Sequence, residues 1–375
     1  MVEKSLVKIL SSFIFNSTIC CILQPKDGLM KIYRIGLASY GMSGQVFHAP
    51  LIHIQKGLQL AAILERNRRL SATRFPATKI VTRYEELLDD PEIDMVVVNL
   101  PDPLHYDMAR KALDSGKHVI VEKPFVRQSK QGRELIELAN RRELLLSVFH
   151  NRRWDGDFLT VRRILENGIL GRLVEYEAHF DRYRNYIRED TWKEKSGSGS
   201  TLYNLGSHLI DQAIMLFGKP DHVFAEIRIL RDGGKVDDAF TLLLGYADVR
   251  VTLKSSYLVK EPGPRYLLHG TEGSYIKYGT DPQEEALKKG DRPPGKDWGK
   301  EPESDWGILS TEKGNRKFHG KYETLPGRYQ DYYANIYQAL NRKSPPEVTA
   351  EQANLVIRVI EAAFESHESG CRVQI

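Results

Sequence analysis

Between Lys31 and His150, short apolar runs alternate with helix-length amphipathic segments. The runs are Ile32–Ala38, Leu58–Leu64, Met95–Leu100, His118–Val121 and Leu144–Phe149. Helical segments between them include Tyr84–Leu88, Leu104–Ser115 and Ser129–Arg142. Strands apolar on both faces belong in a parallel sheet covered by helices on both sides, and their alternation with helices predicts a doubly wound α/β fold. After Trp154 the rhythm changes. A helix (Phe158–Asn167) leads into a long strand, Leu173–Arg182, then a polar, glycine-rich stretch, Lys195–Ser200, then a helix around Gly206–Phe217. The runs His222–Leu230, Ala239–Gly245, Val249–Ser256, Arg265–Gly270 and Ser274–Tyr278 follow in close succession. Such short connections predict an antiparallel or mixed sheet. Residues 279–327, rich in Gly, Pro and charge, read as a long functional or intersubunit loop. Two helices, Tyr329–Leu340 and Ala350–Glu368, close the chain.

Composition removes several functional classes. Of 375 residues, 41% are hydrophobic and 28% charged, ordinary for a soluble globular protein. The net charge is +4 from 54 basic and 50 acidic residues, with no basic block, so nucleic acid is not an expected partner. The cysteines Cys20, Cys21 and Cys371 have no metal-site or disulfide spacing, and a reducing, cytoplasmic location is expected. In residues 1–29, Lys4 and Lys8 precede an apolar stretch, Ile9–Leu23, broken by Ser11, Ser12, Asn16, Ser17 and Thr18. This faintly resembles a signal peptide but lacks an Ala-x-Ala site and is too polar for a confident membrane span. Met30 as the functional start, or 1–29 as a loosely ordered tail, is the expectation, with no membrane partner.

The first apolar run opens onto Ser39-Tyr40-Gly41-Met42-Ser43-Gly44, then a helix, then a second run ending on Glu65. This is the layout of a Rossmann dinucleotide-binding fingerprint. Glycines allow close backbone approach to a pyrophosphate at a helix N-terminus. Gly41 and Gly44 fill the second and third glycine positions, and Ser39 stands at the first. Glu65 is placed to accept hydrogen bonds from a ribose 2′-OH, which favours NAD. Arg66, Arg68 and Arg69 follow at once and suit a 2′-phosphate, which favours NADP. A nicotinamide enzyme that oxidises an alcohol also needs a group to take the hydroxyl proton. Lys123, at the end of His118–Val121, could reach the cleft and share that proton, although a lone lysine at a strand end is more often a surface residue.

Glu122-Lys123-Pro124 behind this fingerprint resembles the glucose–fructose oxidoreductase / inositol dehydrogenase / rhizopine-catabolism (Gfo/Idh/MocA) family. Leu100-Pro101-Asp102-Pro103-Leu104-His105 resembles its Thr-Pro-Asn-x-x-His segment, with Leu100 and Asp102 as departures. The stretch Leu146–Asp155 is similar to its interdomain Asn-Arg-Arg segment, and Tyr203–Asp211 to its Asp-x-x-x-His helix. Tyr278–Glu284 and the segment around Trp298 are similar to a branch that includes an NADP-dependent scyllo-inositol dehydrogenase.

The resemblance covers about residues 31–370. It implies a Rossmann domain over 30–153. A substrate-binding and oligomerisation domain with a large, mostly antiparallel open sheet would occupy 154–375. The implied activity is hydride transfer between NADP, or alternatively NAD, and a sugar, inositol or related polyol, in a homodimer or homotetramer without a metal. Lys123 would be catalytic, with a cis bond to Pro124, and His208 would transfer the proton. The cofactor would meet Ser39–Gly44, Glu65, Arg66, Pro101, His105, Glu122 and Lys123. Asn204 occupies the family's Asp position, where an amide can hydrogen-bond substrate but carries no charge. Reduced rate, a shifted pH optimum or a retired site that only senses dinucleotide are the competing outcomes. Asp211 could replace part of the missing charge. Arg152, Trp154 and Tyr183 are either substrate contacts or, equally, junction and core residues.

Overall fold

The computed structural model describes residues 31–375 apart from 190, 192, 193 and 195–198. The N-terminal extension and most of the stretch 195–200 lie outside the described residues. The first sheet contains β1 (Tyr33–Leu37), β2 (Leu58–Leu64), β3 (Lys79–Val81), β4 (Met95–Val98), β5 (His118–Val121) and β6 (Leu146–Val148). Its helices are α1 (Ala49–Ile54), α2 (Ser71–Arg74), α3 (Glu85–Leu88), α4 (His105–Asp114) and α5 (Ser129–Arg141). The strands are all parallel, in the order β3-β2-β1-β4-β5-β6. The order reverses between β1 and β4, and α/β sheets bind ligands outside the strand ends at such a switch point. Every residue of β4 is buried, as a sheet with both faces covered requires.

Helix α6 (Gly156–Glu166) leads into the second sheet. It comprises β7 (Leu173–His179), β8 (His222–Arg228), β9 (Ala239–Gly245), β10 (Arg250–Ser256), β11 (Tyr266–Gly270), β12 (Gly273–Lys277), β13 (Gly307–Lys313), β14 (Arg316–Tyr322) and β15 (Val373–Gln374). Its order is β14-β13-β12-β11-β7-β10-β9-β8-β15, and only the β7–β10 pair is parallel. Helices α7 (Ser207–Phe217), α8 (Gln283–Lys289), α9 (Gln330–Leu340) and α10 (Ala350–Ser369) complete the set.

The structure corrects the reading of 279–327 as one long loop. It holds α8 and the β13–β14 hairpin, joined through Gly314-Asn315 with Gly314 at φ +58°. Glycine followed by asparagine is a hairpin signal in its own right. The hairpin lies at the sheet's edge, where Leu309 is its deeply buried large side chain, so the strands carry too few apolar residues to reveal their period.

Helix α10 joins the two sheets. The Thr349 hydroxyl accepts from Gln352 N in a capping box, and Gly370 ends the helix in the left-handed region at φ +66°. One side of α10 packs on β8 and another on α5. At α5 the approach is close enough that a Cβ on Gly132 would lie 1.9 Å from Asn354 Oδ1. Glu361 accepts from Ser129 N and Oγ at 2.7 and 2.6 Å. Ser147 Oγ on β6 donates to Val348 O at 2.8 Å.

Candidate active site

The turn after β1 is closed on one side and open on the other. A Cβ on Gly44 would lie 2.4 Å from Ser39 O and 3.0 Å from Asn99 Nδ2, so no side chain fits there. A Cβ on Gly41 would meet only Ser39 Oγ, at 3.3 Å, which leaves that side open for a ligand. Ser39 Oγ accepts from Gly41 N at 3.1 Å, and Asn99 Nδ2 donates to Ser39 O at 2.8 Å. Serine at the first glycine position thus secures the turn instead of disrupting it. A π-helical turn, Gly44–His48, runs into α1. Met42 is exposed beside the turn, while Tyr40 is buried with no hydrogen bond to its hydroxyl. These residues fit a dinucleotide's pyrophosphate.

Glu65 does not stand free for a ribose. Its carboxylate accepts from Leu70 N at 2.8 Å, from Ser71 N at 3.0 Å and from Ser71 Oγ. It therefore caps α2 and folds the loop of residues 66–70 around itself. Arg66, Arg68 and Arg69 are exposed on that loop.

The ends of β4 and β5 are tied together beside this turn. The buried ring of His105 bonds Leu100 O at 2.9 Å and Pro124 O at 2.8 Å, so His105 fixes the Pro101 turn to the loop after β5. The Lys123–Pro124 bond is cis. Glu122 accepts from Lys123 N at 3.0 Å and pairs with His48 Nε2 at 3.0 Å. Burial pushes its carboxyl up, but the His48 contact and the nearby cations outweigh it and hold the group below the usual range.

Lys123 crosses to the second lobe. Its Nζ donates to Asn204 Oδ1 and to Asn204 O, both at 2.9 Å. Asn204 lies in a second π-helical turn, Leu202–Gly206, which continues into α7. Neighbouring groups set that turn. Tyr203 Oη donates to Arg127 O at 2.9 Å, the Arg127 guanidinium lies 4.9 Å from the Tyr203 ring, and Leu202 N donates to Asp237 at 2.9 Å. π-Turns are rare and concentrate at functional positions; here one lies on each side of the site.

His208, four residues after Asn204, is 5% exposed, and its Nδ1 has no hydrogen-bond partner. Burial holds its pKa well below the ordinary imidazole value, and the charges of Lys123, Arg152, His150 and Arg265 push it the same way. Its surroundings therefore favour the neutral imidazole. Asp211 does not replace the charge missing at Asn204. Arg153 grips it with two bonds, of 2.9 and 2.7 Å. Burial pushes Asp211 up, but Arg153 and His150 bring it below the usual carboxylate range.

His150, which follows β6, is a site residue that sequence reasoning missed. Its ring lies edge-on to His208 with centroids 6.3 Å apart, and its Nδ1 is 3.9 Å from Asp211. Both ring nitrogens are buried without hydrogen-bond partners. Burial pushes it down to about 4, with Asp211 opposing and Arg153 assisting. Phe180 also escaped notice. Its ring is 6.3 Å from His208 and carries the guanidinium groups of Arg265 at 4.6 Å, Arg152 at 4.8 Å and Arg182 at 5.6 Å. These residues come from separate elements, so no local spacing announces them.

Arg152 joins the cluster but is already engaged, with Glu284 at 2.5 Å and Asp155 at 3.2 Å. Burial, opposed by Arg152 and assisted by Asp157, pushes Asp155 up to about 6. Trp154 is a core residue, not a site one: it is buried, with its ring against Tyr332 at 5.6 Å. Tyr183 is exposed near the end of β7, bridged to Leu258. No group of three or more metal-ligating side chains occurs among the described residues. No described helix is long and apolar enough to cross a membrane.

Known proteins share this fold. Residues 33–150 match the Gfo/Idh/MocA model described as an oxidoreductase family NAD-binding Rossmann fold, and residues 162–375 match that family's C-terminal alpha/beta domain. The chain is 42% identical to the uncharacterized oxidoreductase YdgJ of Escherichia coli over 89% of its own length and 96% of the relative's. It is 39% identical to the scyllo-inositol 2-dehydrogenase (NADP(+)) IolW of Bacillus subtilis, over 89% and 93%. A crystal structure of an oxidoreductase from Bacteroides fragilis, 51% identical, superposes with a TM-score of 0.86 over 92% of this chain and all of that one. With both family models matched in order along nearly all of the described chain, the protein belongs to the Gfo/Idh/MocA family of oxidoreductases.

Proposed function

We propose that the protein is an NADP-preferring dehydrogenase acting on a CH–OH group of a sugar, inositol or related polyol. The observation that carries this reading is the junction of the two lobes, where Lys123 Nζ donates to both oxygens of Asn204, one helical turn before the buried imidazole of His208. Bound NADP supplies hydride acceptance, and NADPH its return. The chain's own residues would do the rest. Lys123 donates hydrogen bonds to the substrate oxygen and stabilises negative charge as the proton leaves. His208, whose surroundings favour the neutral imidazole, can take that proton. Asn204 holds the lysine through its amide oxygen, a contact that needs no carboxylate. The preference for NADP rests on Glu65, whose oxygens cap α2, and on the arginines its loop presents. The name of IolW supports both the cofactor and the substrate class.

Replacing Lys123 with Met is expected to lower turnover ~10²–10⁴-fold while dinucleotide binding, followed by NADPH fluorescence, persists. Full turnover in that variant would end the assignment. A wild-type protein that binds dinucleotide but turns over no polyol would favour the sensor reading. A homo-oligomer is also proposed. Phe224 and Leu243 are cross-strand neighbours exposed on β8 and β9, a fit surface for a second copy; a monomeric mass in solution would remove this element.

A further inference from the structure

The segment after α8 reaches the first lobe beside the end of α2. Gly290 ends α8 in the left-handed region at φ +97°. Arg292 follows and lies half-buried, with its guanidinium 5.5 Å from the centre of the Phe75 ring. Phe75 is buried directly after α2 and meets Tyr40 edge-on at 6.4 Å. The loop is anchored behind Arg292, where Pro293 is buried and Trp298 Nε1 donates to Gln283 at 3.1 Å.

Tyr40 lies where β1 gives way to the glycine turn, next to Glu65 at the end of β2. That position is where a dinucleotide's adenosine ribose belongs. The Tyr40 phenol is 6% exposed with an unpartnered hydroxyl. Burial raises its pKa, while Arg74 and Arg292 pull it down and Glu65 pushes it up. Arg74 and Arg292, like Arg66, Arg68 and Arg69, have no carboxylate partner among the described residues. The nearby carboxylate, Glu65, already accepts three internal hydrogen bonds.

We infer that Arg292, Arg74 and Tyr40 form the clamp for the 2′-phosphate of NADP(H), Arg292 being supplied by the chain of the other lobe. A phosphate monoester carries a charge of about −1.5 to −2 near neutral pH. It would match two guanidinium forks and a phenolic donor. NADH offers only a hydroxyl there and gains little. Phe75 holds Arg292 in place by stacking. This inference rests on the nicotinamide reading and adds, to the arginines of the 66–70 loop, further residues that choose the cofactor.

The test is titration of wild type, Arg292→Ala and Arg292→Lys with NADPH, NADH and adenosine 2′,5′-bisphosphate. Wild type is expected to bind NADPH more tightly than NADH. Arg292→Ala should weaken NADPH and the bisphosphate by about tenfold or more, leave NADH within about twofold, and be partly rescued by lysine. Equal loss for NADPH and NADH, or no loss for either, overturns the clamp. Wild type that prefers NADH also overturns it but leaves the nicotinamide reading standing. Wild type that binds neither dinucleotide sinks that underlying reading itself.

Discussion

At the chemical end of the site, buried positive charge is matched at close range. Arg153 faces Asp211, Arg152 faces Asp155 and Glu284, and Lys123 rests on two oxygens of Asn204. At the rim beyond β2, Arg66, Arg68, Arg69, Arg74 and Arg292 have no carboxylate partner among the described residues. The difference follows from solvation. A guanidinium without water must have a counter-ion or it destabilises the fold. At an open rim, water bears that cost until a ligand arrives, so surplus charge can be kept for recognition. Paired charge here reports on architecture, and the unpaired charge is what the proposed clamp would use.

The comparison breaks first at Arg153. Replacing it with Met leaves Asp211 buried and unpaired, and about 3–5 kcal/mol of stability should be lost, read from urea denaturation. A loss below about 1 kcal/mol would mean the pairing is not structural.

A smaller effect is expected from acid. His150 has a folded-state pKa of about 4, below its unfolded value of about 6.5. The unfolded chain therefore binds more protons in that interval. The His150 contribution is complete above about pH 6.5 and disappears as pH falls toward 4. Wild type should lose more stability across this window than His150→Gln; parallel pH profiles would contradict the burial argument.

The smallest effect sharpens the contrast from the other side. Arg68→Ala should change stability by less than about 0.5 kcal/mol, because nothing in the fold depends on its charge. A larger loss by thermal melting would show that the rim arginines are also structural.

The doubly wound order of the first sheet, the central strands of the second and the glycine turn were legible because each rests on local spacing, whereas β3, the β13–β14 hairpin and β15 are too short or too polar to show a period, and Lys123 and His208 were singled out by the family resemblance. The roles of Glu65, Asp211 and Trp154 were not, because each depends on what the side chain meets. Spacing places Glu65 at the end of β2 but does not disclose that Leu70 and Ser71 turn back to occupy its oxygens. It places Asp211 one turn beyond His208 but does not disclose that Arg153 arrives from another element. His150 and Phe180 acquire meaning only when β6, α7 and the chain after β7 converge. Arg292 was hidden in a segment whose strands lie at an uncovered edge and whose composition imitates a loop.

Helix α10 lies against both α5 and β8, although it is the last helix of the chain. Ser129, Gly132 and Ser147, in the earlier half of the sequence, meet Glu361, Asn354 and Val348 near its end. During synthesis, the dinucleotide lobe must therefore leave the ribosome with one flank bare and wait for the final segment before its layers close. A carboxy-terminal truncation would then impair the lobe that was translated first.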